Sequence, residues 1–450
     1  MARVLFPTMS GKAFPLRTET DQQAKHRLVL VGAICAAIFL ATIPLPRVDN
    51  HLVGSDGVRY YAITRSLLLD GDFDFRNDYQ LLGEHAGLTA TGLPANEQGI
   101  GTAILWMPFF LVAHIVSLLL NAMGARVPTN GVSYLYEASA CLGTIVYTTL
   151  GFLLTYGTAR RILGSPPGRT FWSVVGMWWA TPAIYYIIAE PSMSHGLTVF
   201  TMATFFALWY PPSPDRSTWH WVKLAGAAGL AALVRWQDGL IILIPLAELC
   251  WWVVRRRVSP ARALTYLSMS GALILVVFSP QLLMWKTLYG SFLTIPQGTG
   301  FFNWSSPHVL ATLFSTRHGL ISWHPIFLLG VLGLVPLWKE HREVALVILF
   351  VFAGELYVNS AVSNWWADDA FGGRRFVSLI PFLTVPLTVV LTRMRRRLVA
   401  AVLAALVLWN GLSLIQYRLR FVSMSEPLTI REMTVDRLLV PFRLIERILR

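Results

Sequence analysis

The chain has 450 residues, 55% of them apolar and only 14% charged, with a net charge of +13. A soluble domain of this length carries about 25% charged residues, so that class is excluded. Several apolar runs reach about 18 residues, enough to cross ~30 Å of hydrocarbon, and predict an all-α polytopic membrane protein. The basic balance does not point to nucleic acid. Arg255, Arg256 and Arg257, and Arg393, Arg395, Arg396 and Arg397, abut the ends of apolar runs, where cytoplasmic anchors belong. Cys35, Cys141 and Cys250 lie inside apolar runs without a CxxC pair, which implies neither a disulfide framework nor a zinc site.

Residues 1–27 form a polar leader with Arg3, Lys12, Arg17, Lys25 and Arg27, read as a cytoplasmic tail. The first apolar run, 28–45, has no small-residue cleavage site after it, so it is expected to stay as helix one. With the basic clusters cytoplasmic, helix one runs outward and 48–131 becomes the first external loop. Its first half holds Asp49, Asp56, Asp70, Asp72, Asp74, Asp78, Glu84 and Glu97 against Arg59, Arg65 and Arg76. The run 100–120 contains Pro108 and His114 and starts behind Gly99. If it crossed as well as 132–158, Arg160 and Arg161 would be external, so it is expected to lie along the outer face. Ten further crossings follow: 132–158, 171–189, 196–210, 221–234, 240–254, 263–285, 320–337, 344–360, 376–391 and 398–415. The bundle then has about eleven spans, with an external, amphipathic tail at 416–450.

In this orientation every cluster mixing acids, His, Arg and aromatics falls at an external helix end. Polar groups near lipid are costly and face cavities, which predicts one externally open cavity. Asp56 in "GSDGVRYY" reads either as an N-cap for the stretch after it or as a reacting carboxylate beside Tyr60. Asp70, Asp72 and Asp74 read as a solvated turn. Lys286, Arg317, Arg374 and Arg375 are candidates for clamping a phosphate, with Gly372 and Gly373 allowing close backbone approach. Trp365 and Trp366 beside Asp368 and Asp369 suit a sugar, stacking on its C–H face while carboxylates take its hydroxyls; Trp236, Gln237 and Asp238 read similarly. Glu97, Glu190, His195 and His318 complete the sugar- or acceptor-facing set. No cofactor is named by the sequence. A divalent metal is left open, since neither Glu190 with His195 nor His318 with His324 matches a standard ligand spacing. No GxxxxGK[ST], GxSxG or HExxH occurs, so nucleotide-driven and soluble-hydrolase chemistry are unsupported.

The order of these parts resembles the GT-C superfamily of integral-membrane glycosyltransferases, in particular the bacterial branch of protein O-mannosyltransferases and aminoarabinose transferases. The resemblance spans about residues 28–415. It rests on "GSDGVRYYAITRSLLLDGDF", where Asp56 matches an acidic residue just after helix one, and on a first loop carrying interfacial helices. Glu190 and His195 match a second polar site. In "LPANEQGIGTAILWMPFF", Pro94 and Gly99 keep part of a "YPPGYP"-like segment and the rest departs from it. The resemblance implies a hexosyl or pentosyl donor on a polyprenyl phosphate, bound from the outer leaflet of a bacterial inner membrane, and inverting transfer at the periplasmic face. The acceptor would be a hydroxyl, amine or phosphate on protein, lipid or polysaccharide of the cell envelope. Asp56 would be the general base, and Lys286 with the arginines would stabilise the leaving phosphate. The rival readings are a lipid-linked sugar flippase, for which no internal repeat is visible, and a non-catalytic lipid-binding protein, which would not need Asp56.

Overall fold

The computed structural model describes residues 19–45 and 50–449; most of the leader, and Asp49, lie outside these. The described secondary structure is helical, with two isolated bridges at Leu88–Pro94 and Phe302–Val362. Helix α1 (Asp21–Ala41) opens on a capping box between Thr20 and Gln23, which satisfies two end N–H groups. Its buried residues, Ala24, Leu28, Gly32, Cys35 and Phe39, recur every three or four positions and form one stripe. Val29, Leu30, Ile34 and Leu40 on the other side are exposed, as lipid-facing residues are.

The first loop carries α2 (Asp56–Arg65), a π-helical turn ending at Gly71 (φ 75°) and α3 (Arg76–Leu82). It is followed by α4 (Ile100–Ala122) and α5 (Tyr134–Leu163). The three loop arginines are taken up by the loop's own acids. Arg59 binds Glu84 and Glu97, Arg65 binds Asp70 and Asp78 (2.7 Å each), and Arg76 binds Asp74. Asp72 accepts from the Ser66 hydroxyl and the Asp74 amide. The expected solvated turn is thus an exposed edge with defined partners.

The middle of the chain forms α6 (Pro167–Trp179), α7 (Tyr185–Ile188), α8 (His195–Trp209), α9 (Thr218–Val234), α10 (Leu243–Val254) and α11 (Pro260–Tyr289). After them come α12 (Val309–Phe314), α13 (Leu320–Trp323), α14 (Ile326–Leu332), α15 (Leu334–Glu340), α16 (Arg342–Ala361), α17 (Ile380–Arg393) and α18 (Arg396–Arg418). Small residues draw α5 and α8 together. A Cβ on Gly151 would sit 2.8 Å from the Phe200 backbone, and Gly196 lies against Thr144 and Thr148. The span ending in α17 (Arg374–Arg393) is 83% buried, so it is the central column against which α5, α6, α8 and α14 pack.

Eight described helical segments are long and apolar enough to cross a membrane, not eleven. The other expected crossings are shorter or broken. Helices α8 and α9 have 15 and 17 residues, Pro182 separates α6 from α7, and α14 ends at Gly333, which abuts the Pro386 backbone. Helix α4 meets the length criterion but starts beside Leu233 and Val234 at the end of α9. It then follows only the first part of α5, through Trp106–Thr144 and His114–Tyr136. It therefore stops well short of the end where α5 carries Arg160 and Arg161. The tail forms α19 (Ile430–Met433), α20 (Val435–Leu438) and α21 (Val440–Leu449) and folds back on α18, where buried Arg437 stacks on Trp409 at 4.6 Å.

Candidate active site

Asp56 is delivered by a braced turn. The Glu137 carboxylate of α5 accepts from the Leu52 and Val53 amides (2.5 and 3.3 Å) and meets His51 Nδ1 at 2.8 Å. Ser55, not Asp56, occupies the cap position of α2, at φ 52° and without a side-chain cap bond. The cap reading of Asp56 therefore fails, and its carboxylate faces outward, 40% exposed. The next residue has to be glycine. A Cβ on Gly57 would lie 2.5 Å from Ser192 Oγ and 2.7 Å from the Ser192 carbonyl oxygen. This contact seats α2 on the 190–194 loop, and the Tyr60 hydroxyl adds a bond to Ser194 (3.1 Å).

Arg374 approaches from the far end of the chain. Its Nη1 lies 3.3 Å from Asp56 Oδ2, and its side chain is only 12% exposed. Gly372 at φ 58° leaves the space into which the His324 ring fits, and the Phe371 amide donates to the Tyr186 hydroxyl (3.0 Å). Tyr186 stacks on His195 at 4.2 Å and 17°. Both ring nitrogens of His195 are buried without a partner. Burial pushes the Glu190 carboxyl above its usual range, against the charges of Arg418 and Arg374 and a bond to Tyr185. Tyr60 is pushed up to about 12, by burial first and the Asp56 charge second, so it stays a neutral hydroxyl. The site thus joins two carboxylates, two guanidiniums, three phenols and an imidazole. It can accept a proton at Asp56 and stabilise an anion at Arg374. Among the described residues no three of His, Cys, Asp and Glu gather as a metal site.

No family model matches the sequence, and no curated protein does. Among solved structures, apo ArnT from Cupriavidus metallidurans matches over 93% of this chain and 73% of its own, with a TM-score of 0.53 at 17% identity. The same protein bound to undecaprenyl phosphate gives 0.51 at 18%, over the same shares. The archaeal oligosaccharyltransferase AglB from Archaeoglobus fulgidus, in complex with an inhibitory peptide and a dolichol-phosphate, gives 0.46 at 13%, over 93% and 54%. This chain has the GT-C fold.

Within the GT-C fold, Asp56, Tyr60, Glu190, His195 and Arg374 converge, and other expected site residues do not. Arg375 is half-buried and donates to Asn364, whose amide binds Asp368 (2.6 Å). Lys286 is exposed and spent on the Gly290 carbonyl at the end of α11 (2.8 Å). Glu97 is held by Arg59. Arg317 donates to the Ser425 carbonyl and lies 4.0 Å over Trp366, while His318 pairs with the Trp366 carbonyl (2.7 Å). These contacts tie the tail to the 364–369 loop. Trp365 and Trp366 meet edge to face, and Asp369 close by in the chain is exposed. Asp238 is wholly buried, so it does not face a sugar; it lies with Glu355, Arg235 and Thr198 inside the bundle.

Sequence reasoning missed Glu137, Arg235, Glu355 and Arg418. Glu137 and Glu355 are single acids inside apolar runs, "YLYEASACL" and "FAGELYV", and a lone charge at membrane depth is itself a signal of function or bracing.

Proposed function

We propose that this GT-C protein is a membrane glycosyltransferase that moves a sugar from a polyprenyl-phosphate donor to an acceptor hydroxyl, with inversion. The observation that carries this reading is the Asp56–Arg374 pair, 3.3 Å apart at one end of the bundle, beside Glu190 and an unpartnered His195. As the acceptor oxygen attacks the anomeric carbon, its proton passes to the Asp56 carboxylate. The bond from that carbon to the phosphate oxygen breaks, and the electron pair leaves with the lipid phosphate. A single displacement inverts the centre. Arg374 has five N–H groups, so it can hold Asp56 and still meet the phosphate as charge develops. Arg418 adds positive charge on the Glu190 side. A donor built on a lipid phosphate of the kind bound in the ArnT complex supplies its own anchor through its lipid tail. With the arginine-rich ends cytoplasmic, the site faces the periplasm of a bacterial inner membrane.

The test is purified protein incubated with a panel of polyprenyl-phosphate sugars, reading release of the lipid phosphate. Release is expected with one donor class, and Asp56→Asn should lower it by at least about a hundredfold. Full activity in Asp56→Asn would reject Asp56 as base; movement of intact donor between leaflets, without release, would favour the flippase.

A further inference from the structure

A large crevice lies at the other end of the bundle from Asp56. Helices α1 and α18 both pack on α6, and the crevice between them has a volume of about 1330 Å³. That exceeds the roughly 300–1,000 Å³ of ordinary small-molecule pockets. Its mouth is formed by Glu19, His26, Arg27, Arg169 and Arg396, and its wall descends along Val175 and Trp179 of α6 and Leu403 and Val407 of α18. From Arg396 to Val407 the helix rises about 16 Å at 1.5 Å per residue. This is the depth of one leaflet, half of ~30 Å of hydrocarbon.

The mouth is electrostatically unfinished. Arg27 binds Glu19 at 2.8 Å and lies 4.4 Å over the Phe171 ring. Arg169 donates to the Leu391 and Met394 carbonyls that end α17 (2.9 Å each). Arg396 is exposed and has no partner among the described residues. Three arginines against one glutamate leave net positive charge above an apolar slot one leaflet deep. We propose that this crevice is a binding site for an anionic glycerophospholipid of the leaflet at the arginine-rich end. The phosphate lies at Arg396 and Arg27, and the acyl chains lie between α1 and α18. The site is separate from the Asp56 cluster and does not depend on the transfer reaction.

The test uses the full-length protein in mild detergent, with phosphatidylglycerol or phosphatidylcholine added. Native mass spectrometry counts retained lipid, and the unfolding midpoint gives an apparent Kd. Phosphatidylglycerol should be retained and raise the midpoint; phosphatidylcholine should do neither. Arg396→Gln breaks no contact and should weaken the apparent Kd about fivefold, as expected for one interfacial arginine. Arg397→Gln, on the same rim but outside the crevice, should leave it unchanged. Ala404→Trp, which fills the slot, should abolish retention. Equal binding of both lipids, equal weakening by Arg397→Gln, or full retention in Ala404→Trp would overturn the proposal. So would a disulfide between Ala13→Cys and Ala404→Cys in native membranes, which would put the chain's own amino terminus in the slot.

Discussion

Asp56 and Arg374 meet across 318 positions of the chain (374 − 56), and each is placed by its neighbours. Glu137 is one of these. One oxygen, Oε2, collects the amides of both Leu52 and Val53 while Oε1 meets His51 Nδ1, and Glu137→Ala leaves these groups without their acceptor. The cost should be about 1–3 kcal/mol, the penalty for buried groups left unpaired. It should appear as a lower unfolding midpoint, together with a fall in kcat as the Asp56 turn loosens. His318 gives a pH effect. Burial pushes it down to about 4, partly offset by its bond to the Trp366 carbonyl, whereas an unfolded histidine titrates near about 6.5. Between those values the unfolded chain holds more protons, so stability present at neutral pH drains as pH falls from 6.5 to 4, by up to ~3 kcal/mol. His318→Asn tolerates the positive φ of 58° and cannot titrate. Its midpoint, compared with that of the parent, should fall less between pH 7 and 5. Asp56 was readable from its position after helix one. Its partner was not, because four basic residues at external helix ends looked equivalent, and only packing shows that Lys286 serves Gly290 while Arg374 serves Asp56.

Helix ends, more than helix interiors, decide this architecture. Helix α2 docks through Gly57 on Ser192 with no room for a side chain. Gly57→Val should therefore cost about 1–3 kcal/mol and more than tenfold in activity. Gly87→Ala, which meets nothing within 4 Å, should leave both unchanged, and equal loss in the two variants would dismiss the docking argument. Apolar length alone predicted long spans well: α1, α5, α11, α16 and α18 lie where the hydrophobic runs place them. It failed where Pro182 and Gly333 divide a crossing. It also could not tell whether α4, with Pro108 inside it, traverses the bundle or only flanks its outer part. That depends on its register against α5, a tertiary property no window of sequence contains.

At the scale of the whole molecule, the arginine-rich end and the Asp56 end carry different chemistry, and the proposed orientation rests on the first. In a cysteine-free background, a membrane-impermeant maleimide should label Asp369→Cys in intact cells and leave Arg256→Cys unlabelled until the cells are opened. The reverse pattern would invert the orientation and move the reaction to the other face. The unequal heights of the helices have one more consequence. His195 and Gly196 start α8 beside Thr144 of α5, ten residues below Tyr134 where α5 begins, a drop of about 15 Å. With α4 alongside, these ten residues form a parapet on one flank of the site. In the proposed transfer, the acceptor has to come from a flank other than the one that α4 and α5 raise. A slender group such as a lipid head or an extended chain can make that approach; a broad folded surface would strike the parapet first.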